Sequence, residues 1–352
     1  MKVLVAMSGG VDSSVAAALL IEQGHEVVGA TLKLWGGVSD SGCCSVADVD
    51  DARRVAQVLG IDHHVFNYTE EFERMVVDPF VAGHAAGNSP NPCIECNRHI
   101  KFDLLFERAS RLGFDAVATG HHAQVVEKNG RHYLARGADS AKDQSYVLGY
   151  LRESELARLI LPIGHMNKAA VRVEAERVGL RTWNKPDSQD VCFIESVRGR
   201  EAFLRERIPV TAASIVDAAS GEVLGETNAA ELMTVGQRRG ITPSKDGEKR
   251  YVTRVDLSQK IVTVGRLADI MTSEVMLDET TLTFAREVLA DGHQILSQWS
   301  AHGKAQPGTL RFDGRWKVEL GEPARPVAAG QTIVFYDLDD PDLVQGAAIV
   351  SR

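Results

Sequence analysis

Residues 3–20, VLVAMSGGVDSSVAAALL, constrain this chain more than any other stretch. Val3 to Met7 are apolar on both faces, the pattern of a strand buried inside a parallel sheet, and Val11 to Leu20 repeat apolar residues at helical spacing. Ser8-Gly9-Gly10 therefore falls where a strand stops and a helix starts. At such a junction the first backbone N–H groups and the positive dipole end of the helix face an approaching anion, and glycines let the backbone come close. Ser8, Ser13 and Ser14 add hydroxyl donors, whereas Asp12 repels a phosphate by itself and suits Mg²⁺ beside a pyrophosphate. SGG alone also fits a plain strand-to-helix turn. The segment has neither the lysine of G-x-x-x-x-G-K-[ST] nor the spacing of G-x-G-x-x-G, so it is not a P-loop or a Rossmann fingerprint.

The alternation continues. Strands are predicted at Glu26–Leu32, Asp62–Phe66 and Asp115–Thr119, and helices at Val46–Leu59, Glu70–Ala85 and Ile100–Leu112, with Gly60 and Gly113 closing two of them. This is the pattern of an α/β fold with a doubly wound parallel sheet, whose ligand crevice lies beyond the carboxyl ends of the strands. Past about residue 208 the texture changes to short apolar runs split by turns at Ser220-Gly221, Leu257-Ser258 and Asp313-Gly314. Three domains are expected: a catalytic domain over 1–207, a small β-rich domain over 208–270, and a β-barrel-like domain over 271–352.

At 352 residues there is room for that many cores. The opening carries one lysine before a short apolar run and does not read as a signal peptide, and no apolar stretch reaches membrane-spanning length, so a cytoplasmic protein is expected. A net charge of −9 argues against coating nucleic acid by bulk electrostatics. Locally the sign reverses: five Lys/Arg face two Glu between Lys168 and Lys185, and four Arg face two Glu between Arg198 and Arg207. Such a stretch is either a solvated helix face or a polyanion site.

The five cysteines are Cys43, Cys44, Cys93, Cys96 and Cys192, and in a reducing compartment structural disulfides are not the default. Cys43 and Cys44 are assigned no chemistry. NSPNPCIECNRHIKF, residues 88–102, reads as an irregular loop entering a helix at about Arg98, which puts Cys96 at a helix N-terminus beside Arg98 and Lys101, a setting that lowers a thiol pKa. A zinc reading of Cys93-x-x-Cys96 lacks a second ligand pair at comparable spacing. Cys192, in DSQDVCFI, fits buried packing or chemistry.

The string SGGVDSS resembles the PP-loop of the ATP pyrophosphatases, the adenine nucleotide alpha hydrolase-like fold. Taken in order, SGGVDSS, NPCIECN with IKF, ATGHHA, KDQSYVL, DSQDVCFI and TVGQRRGI resemble the tRNA-uridine 2-sulfurtransferase (2-thiouridylase) family over residues 8–241. The resemblance implies that Ala6, Met7, Ser8, Gly9, Gly10, Val11, Asp12 and Ser13 bind ATP, with Asp12 on the metal, and that Leu32 and Gly120 line the adenosine pocket. Cys96 would be the nucleophile and Cys192 the persulfide carrier, the two ending as a disulfide. Asn91, Pro92 and Cys93 would border the target base, and His121, Lys142, Asp143 and Gln144 would touch tRNA. Gln331, in AAGQTIVFY, would be a C-terminal tRNA contact.

The implied reaction adenylates O2 of the wobble uridine in the anticodon stem-loop of tRNA, releasing pyrophosphate, and then transfers sulfur as AMP leaves. ATP and Mg²⁺ are the implied cofactors, and a cysteine desulfurase or sulfur-relay protein is the implied donor. Three readings compete: an iron-sulfur cluster on Cys93, Cys96 and Cys192 serving the same thiolation, a PP-loop amidotransferase or synthetase, and a non-enzymatic metal-binding module. The cluster is possible but not favoured.

Overall fold

The computed structural model describes residues 1–35, 46–187, 191–194, 199–243, 247–285 and 289–352. Cys43, Cys44 and Arg198 lie outside the described residues, as do Ser188, Gln189 and Asp190 of the DSQDVCFI motif. The chain divides into two units. The first comprises Met1–Val77, Pro92–Gly199 and Asp340–Gln345, and the second Asp78–Asn91, Arg200–Asp339 and Gly346–Arg352.

The first unit is built on a five-stranded sheet whose pairs are all parallel. Strand β1 (Lys2–Ala6) lies between β2 (Glu26–Lys33) and β4 (Ala116–Thr119), with β3 (His63–Asn67) beyond β2 and the short strand Leu159–Ile160 beyond β4. The chain moves outward from β1 to β3 and then returns to the other side of β1, so the order reverses between β1 and β4. A crevice opens at the carboxyl ends of such a pair. Val3, Val5 and Met7 pack with Val15, Ala16 and Leu20 of helix α1 (Val11–Glu22) and with Val171 and Ala175 of the helix Lys168–Arg177. That burial accounts for the two-faced apolar pattern of β1.

At the reversal the backbones nearly touch. A Cβ on Gly120, just past β4, would stand 2.5 Å from the Ser13 amide nitrogen and 2.6 Å from the Asp12 carbonyl carbon. Only a hydrogen fits there.

One element departs from expectation. Helix starts at Pro92, six residues before the expected entry at about Arg98, and runs through Pro92–Glu95, Cys96–Leu104 and Leu105–Arg111. Proline fits the first position of a helix because its missing N–H has no intrahelical partner there, so a residue read as loop punctuation in fact opens the helix. Cys96 consequently sits one turn inside the helix, and Cys93 occupies the first turn. The segment Cys96–Leu104 is wound as a π-helix, a form that recurs at functional sites. His99 braces it: Nε2 lies 3.2 Å from Glu95 and Nδ1 lies 3.0 Å from Asp103. The hydrogen bonds to Asp103 and then Glu95 outweigh burial and push His99 up to about 9.

Among the described residues, the second unit holds two sheets. In one, the hairpins Ala213–Asp217/Val223–Thr227 and Tyr251–Asp256/Ile261–Gly265 are joined by parallel pairing of Ile261–Gly265 with Ala213–Asp217, over a core of Ile215, Val252, Val262 and Val264. The other has seven strands and includes the hairpin Gln306–Phe312/Trp316–Ala324, over Ile295, Leu310, Val318, Ile333 and Phe335. The three expected hairpins are present.

Two outcomes are expected. Gly120→Ala forces backbone apart and should cost about 2–3 kcal/mol in denaturant unfolding. His99 has a folded-state pKa above its unfolded value of 6.5, so its contribution is complete below pH 6.5 and lost as pH rises through about 9. The stability gap between wild type and His99→Gln should therefore be about 1–2 kcal/mol below pH 6.5, discounted for partial exposure, and should close above pH 9 in urea titrations.

Candidate nucleotide and thiol site

The turn between β1 and α1 is shaped as an anion cradle. Gly9 has φ +72°, and a Cβ there would lie 2.3 Å from the Asp48 carbonyl oxygen, so the loop packs directly on helix α2 (Val46–Leu59). The Ser8 amide donates to Ser13 Oγ at 3.1 Å and the Ser14 hydroxyl donates to the Gly10 carbonyl at 2.7 Å. Gly10 caps α1 without a side-chain hydrogen bond. The first amides of α1 therefore keep their donors for another acceptor.

Asp12 sits in that first turn. Lys168 Nζ holds its two oxygens at 2.8 and 2.7 Å, and His122 Nε2 lies 3.2 Å from Oδ1. Desolvation raises the Asp12 pKa, but the hydrogen bonds from His122 and Lys168 outweigh it and hold the carboxyl below its usual range. Asp12 is thus ionised at neutral pH. A single carboxylate beside phosphates is the usual protein contribution to Mg²⁺, and Asp12 fits that part.

The neighbouring histidines divide. His122 reaches Asp12, whereas His121 turns inward, with Nδ1 2.7 Å from Thr119 Oγ1 and its ring 6.0 Å from Phe102. Burial, helped by the charge of Lys101, pushes His121 down to about 3, so it is neutral.

Lys168 and Lys185, the two ends of the basic stretch, both reach the cradle. Lys168 Nζ contacts Asp187 at 2.9 Å, and Asp187 further accepts from Lys142 at 2.7 Å and Arg172 at 2.9 Å. Desolvation opposes ionisation of Asp187, but the hydrogen bonds from Lys142 and Lys168 hold it at about 2. Lys185 Nζ donates to the Gly9 carbonyl at 3.0 Å and to Asp48 and Asp51, each at 2.7 Å. Lys168, Lys185 and His122 were missed as site residues by the sequence reading. For the two lysines the charge reversal was the only signal, and for His122 it was the ATGHHA motif; neither said which way the side chains point.

The thiols lie in the same unit. Cys93 is exposed, Cys96 is buried and Cys192 is half-buried, all three as thiols. Asn97 Nδ2 donates to the Cys93 carbonyl at 3.0 Å, and the Arg98 guanidinium lies 4.8 Å over the Tyr150 ring. Cys192 occupies a turn closed by the Ile194 amide on the Val191 carbonyl at 2.9 Å. Its neighbour Phe193 is buried against Trp35 and Phe72, with ring centroids 5.9 and 5.7 Å away, which pins the turn. Among the described residues, no three His, Cys, Asp or Glu side chains gather as a metal-binding group.

Other candidates have internal roles. The Asp143 carboxylate accepts from Arg136, the Gly137 amide, and the Ser145 amide and hydroxyl at 2.8–3.0 Å. Gln144 Oε1 accepts from the His122 amide at 2.8 Å, and Lys142 is bound to Asp187. Leu32 is buried near the end of β2, and Pro92 is buried at the helix start. In the second unit Asn91 is half-buried, and Gln331 donates from Nε2 to the Ser89 carbonyl.

The family profile of the tRNA methyl transferase HUP domain matches residues 1–196, and that of the tRNA methyl transferase PRC-barrel domain matches residues 201–266. A Mycobacterium leprae protein named tRNA-specific 2-thiouridylase MnmA is 46% identical over 362 residues, covering 100% of this chain and 99% of that protein. A protein of the same name from Rhodococcus opacus is 44% identical over 360 residues, covering 100% and 98%. Among solved structures, NMN synthetase from Francisella tularensis aligns at 18% identity with TM-score 0.36, over 53% of this chain and 66% of that one. With this identity sustained over the whole length, the chain belongs to the tRNA-specific 2-thiouridylase family.

Proposed function

We propose that the protein is an ATP-dependent enzyme that replaces O2 of the wobble uridine of tRNA with sulfur, working in the cytoplasm with a cysteine desulfurase or sulfur-relay protein as donor. The observation that carries this reading is the cradle at Ser8–Ser13, with the ionised Asp12 and the cations Lys168 and Lys185 around it, in the same unit as Cys96 and Cys192.

A carbonyl oxygen is a poor leaving group. Attack of uridine O2 on the α-phosphorus of ATP forms a C–O–P ester and expels pyrophosphate. The α1 amides and Lys168 stabilise the charge that collects on the phosphate oxygens, a task that falls to the loop lysine in P-loop enzymes. Asp12 would hold Mg²⁺, which would neutralise phosphate charge there. His122 holds the Asp12 carboxylate in place.

A persulfide on Cys192 then attacks C2, forming the C–S bond as AMP departs. The Cys96 thiolate attacks Cys192 Sγ, the S–S bond breaks, and 2-thiouridine is released with a Cys96–Cys192 disulfide left for a thiol reductant. The base is reached because an anticodon-loop nucleotide can be splayed into a pocket. Asn91, Pro92 and Cys93 border that base, and His121, Lys142, Asp143, Gln144 and Gln331 shape the tRNA contacts directly or through the loops that they brace.

With tRNA and a sulfur source, ATP should yield AMP and pyrophosphate, and ADP with phosphate as products would overturn the reading. Asp12→Ala should lower AMP formation by about 100-fold or more, with the circular dichroism spectrum unchanged. Cys96→Ser and Cys192→Ser should each abolish thiouridine, read by retarded tRNA migration in a mercury gel, whereas Cys93→Ser keeps a measurable part. Loss in Cys93→Ser equal to the other two would instead favour a three-thiolate cluster.

A further inference from the structure

The Lys185 ammonium has three N–H donors, and three acceptors surround it: the Gly9 carbonyl at 3.0 Å, Asp48 Oδ1 at 2.7 Å and Asp51 Oδ2 at 2.7 Å. Burial works against its charge, but the hydrogen bonds to Asp48 and Asp51 outweigh it and hold Lys185 above the usual lysine range. An ammonium filled in this way acts as a brace. What it braces is a peptide between two glycines. Gly9 has φ +72°, and Gly10 has φ −92° and ψ 167°. In a trans peptide the carbonyl of one residue and the N–H of the next point in opposite directions, so the ammonium on the Gly9 carbonyl turns the Gly10 N–H away from Lys185.

Turning that peptide over changes only ψ of Gly9 and φ of Gly10, and it carries Gly10 to φ of about +88°, which glycine adopts as readily as the negative value. Glycine sterics therefore leave both orientations open, yet they offer an anion opposite groups: one a donor, the other a carbonyl oxygen. A side chain at position 9 cannot make the choice, because a Cβ there meets the Asp48 carbonyl oxygen at 2.3 Å. The selection has to come from outside the loop.

We propose that Lys185 is a positioning residue for nucleotide binding, which holds the Gly9 carbonyl and so keeps the Gly10 N–H turned toward the phosphates of ATP. The proposal rests on the reading that the cradle takes ATP. Asp48 and Asp51 serve it by fixing the ammonium from the first turns of α2, the helix on which Gly9 itself packs. The two lysines at the cradle then divide the work: Lys168 supplies charge, and Lys185 sets the direction of a donor without touching the ligand. A donor aimed in advance costs no reorganisation when the anion arrives. No covalent step is involved.

The test uses the full-length protein and the non-cleavable analogue α,β-methylene-ATP with magnesium, with affinity read by calorimetry. Glycine labelled with ¹³C at the carbonyl and with ¹⁵N leaves only glycines that follow a glycine, Gly10 and Gly37, in a carbonyl-edited amide spectrum. The peak that survives in Gly37→Ala is Gly10. In wild type it should be a single peak that moves downfield on saturation, as an N–H does when a phosphate oxygen accepts from it. Lys185→Met should bind the analogue about tenfold more weakly, the cost of one donor to a charged acceptor, and its Gly10 peak should be displaced or split in the free protein. Lys185→Gln, which keeps a neutral donor, should show the same changes to a smaller degree, and it carries the comparison if Lys185→Met does not fold. A wild-type Gly10 peak in Lys185→Met overturns the proposal even where affinity falls, because the loss then comes from charge alone. Undiminished affinity in Lys185→Met overturns it too. Analogue that binds wild type without moving the Gly10 peak overturns the positioning role and leaves the ATP reading standing. Failure of the analogue to bind wild type overturns the ATP reading and the proposal together.

Discussion

Lys168 places one ammonium between two carboxylates, Asp12 at 2.7 Å and Asp187 at 2.9 Å. Asp12 belongs to the first turn of α1 and Asp187 lies 175 positions further along the chain, so a single charge joins two distant segments of the first unit. Both carboxylates are partly buried, where desolvation works against their ionisation, and both are nevertheless held ionised by the cations around them. Removing that ammonium would leave two partly buried negative charges with fewer partners, a far larger penalty than losing a surface ion pair.

That charge can act at the cradle because of a steric condition. Gly9 packs against the Asp48 carbonyl and Gly120 against the backbone of Asp12 and Ser13, at distances that no Cβ tolerates. The parallel order places the ends of β1 and β4 side by side; Gly9 lets the loop after β1 close on α2, and Gly120 lets the loop after β4 close on α1. His122, two residues past Gly120, then lies within reach of Asp12. Topology, close backbone approach and electrostatics thus converge on the same few residues.

The thiols are held by different means. Cys96 is buried in a π-helical stretch braced by a protonated His99 between two carboxylates, whereas Cys192 rides on a short turn pinned by Phe193 in an aromatic cluster.

Much of this was legible in the sequence. The two-faced apolar run Val3–Met7, the SGGVDSS turn and the β-hairpin signals after residue 208 are local patterns, and local patterns follow from side-chain periodicity and turn preference, which the chain carries by itself. The helix start at Pro92 was misread because a proline that opens a helix and one that interrupts a loop look alike until the backbone on both sides is known. Long-range pairing was out of reach in principle. Lys168 lies 156 residues from Asp12, Lys185 lies 176 from Gly9 and His122 lies 110 from Asp12, so the sequence showed an excess of positive charge around the lysines and a histidine pair in ATGHHA, but not their direction. Only tertiary structure decided that these side chains turn onto the cradle, because their positions are set by the packing of the helix Lys168–Arg177 and the end of β4 against α1, a three-dimensional proximity that no spacing along the chain encodes.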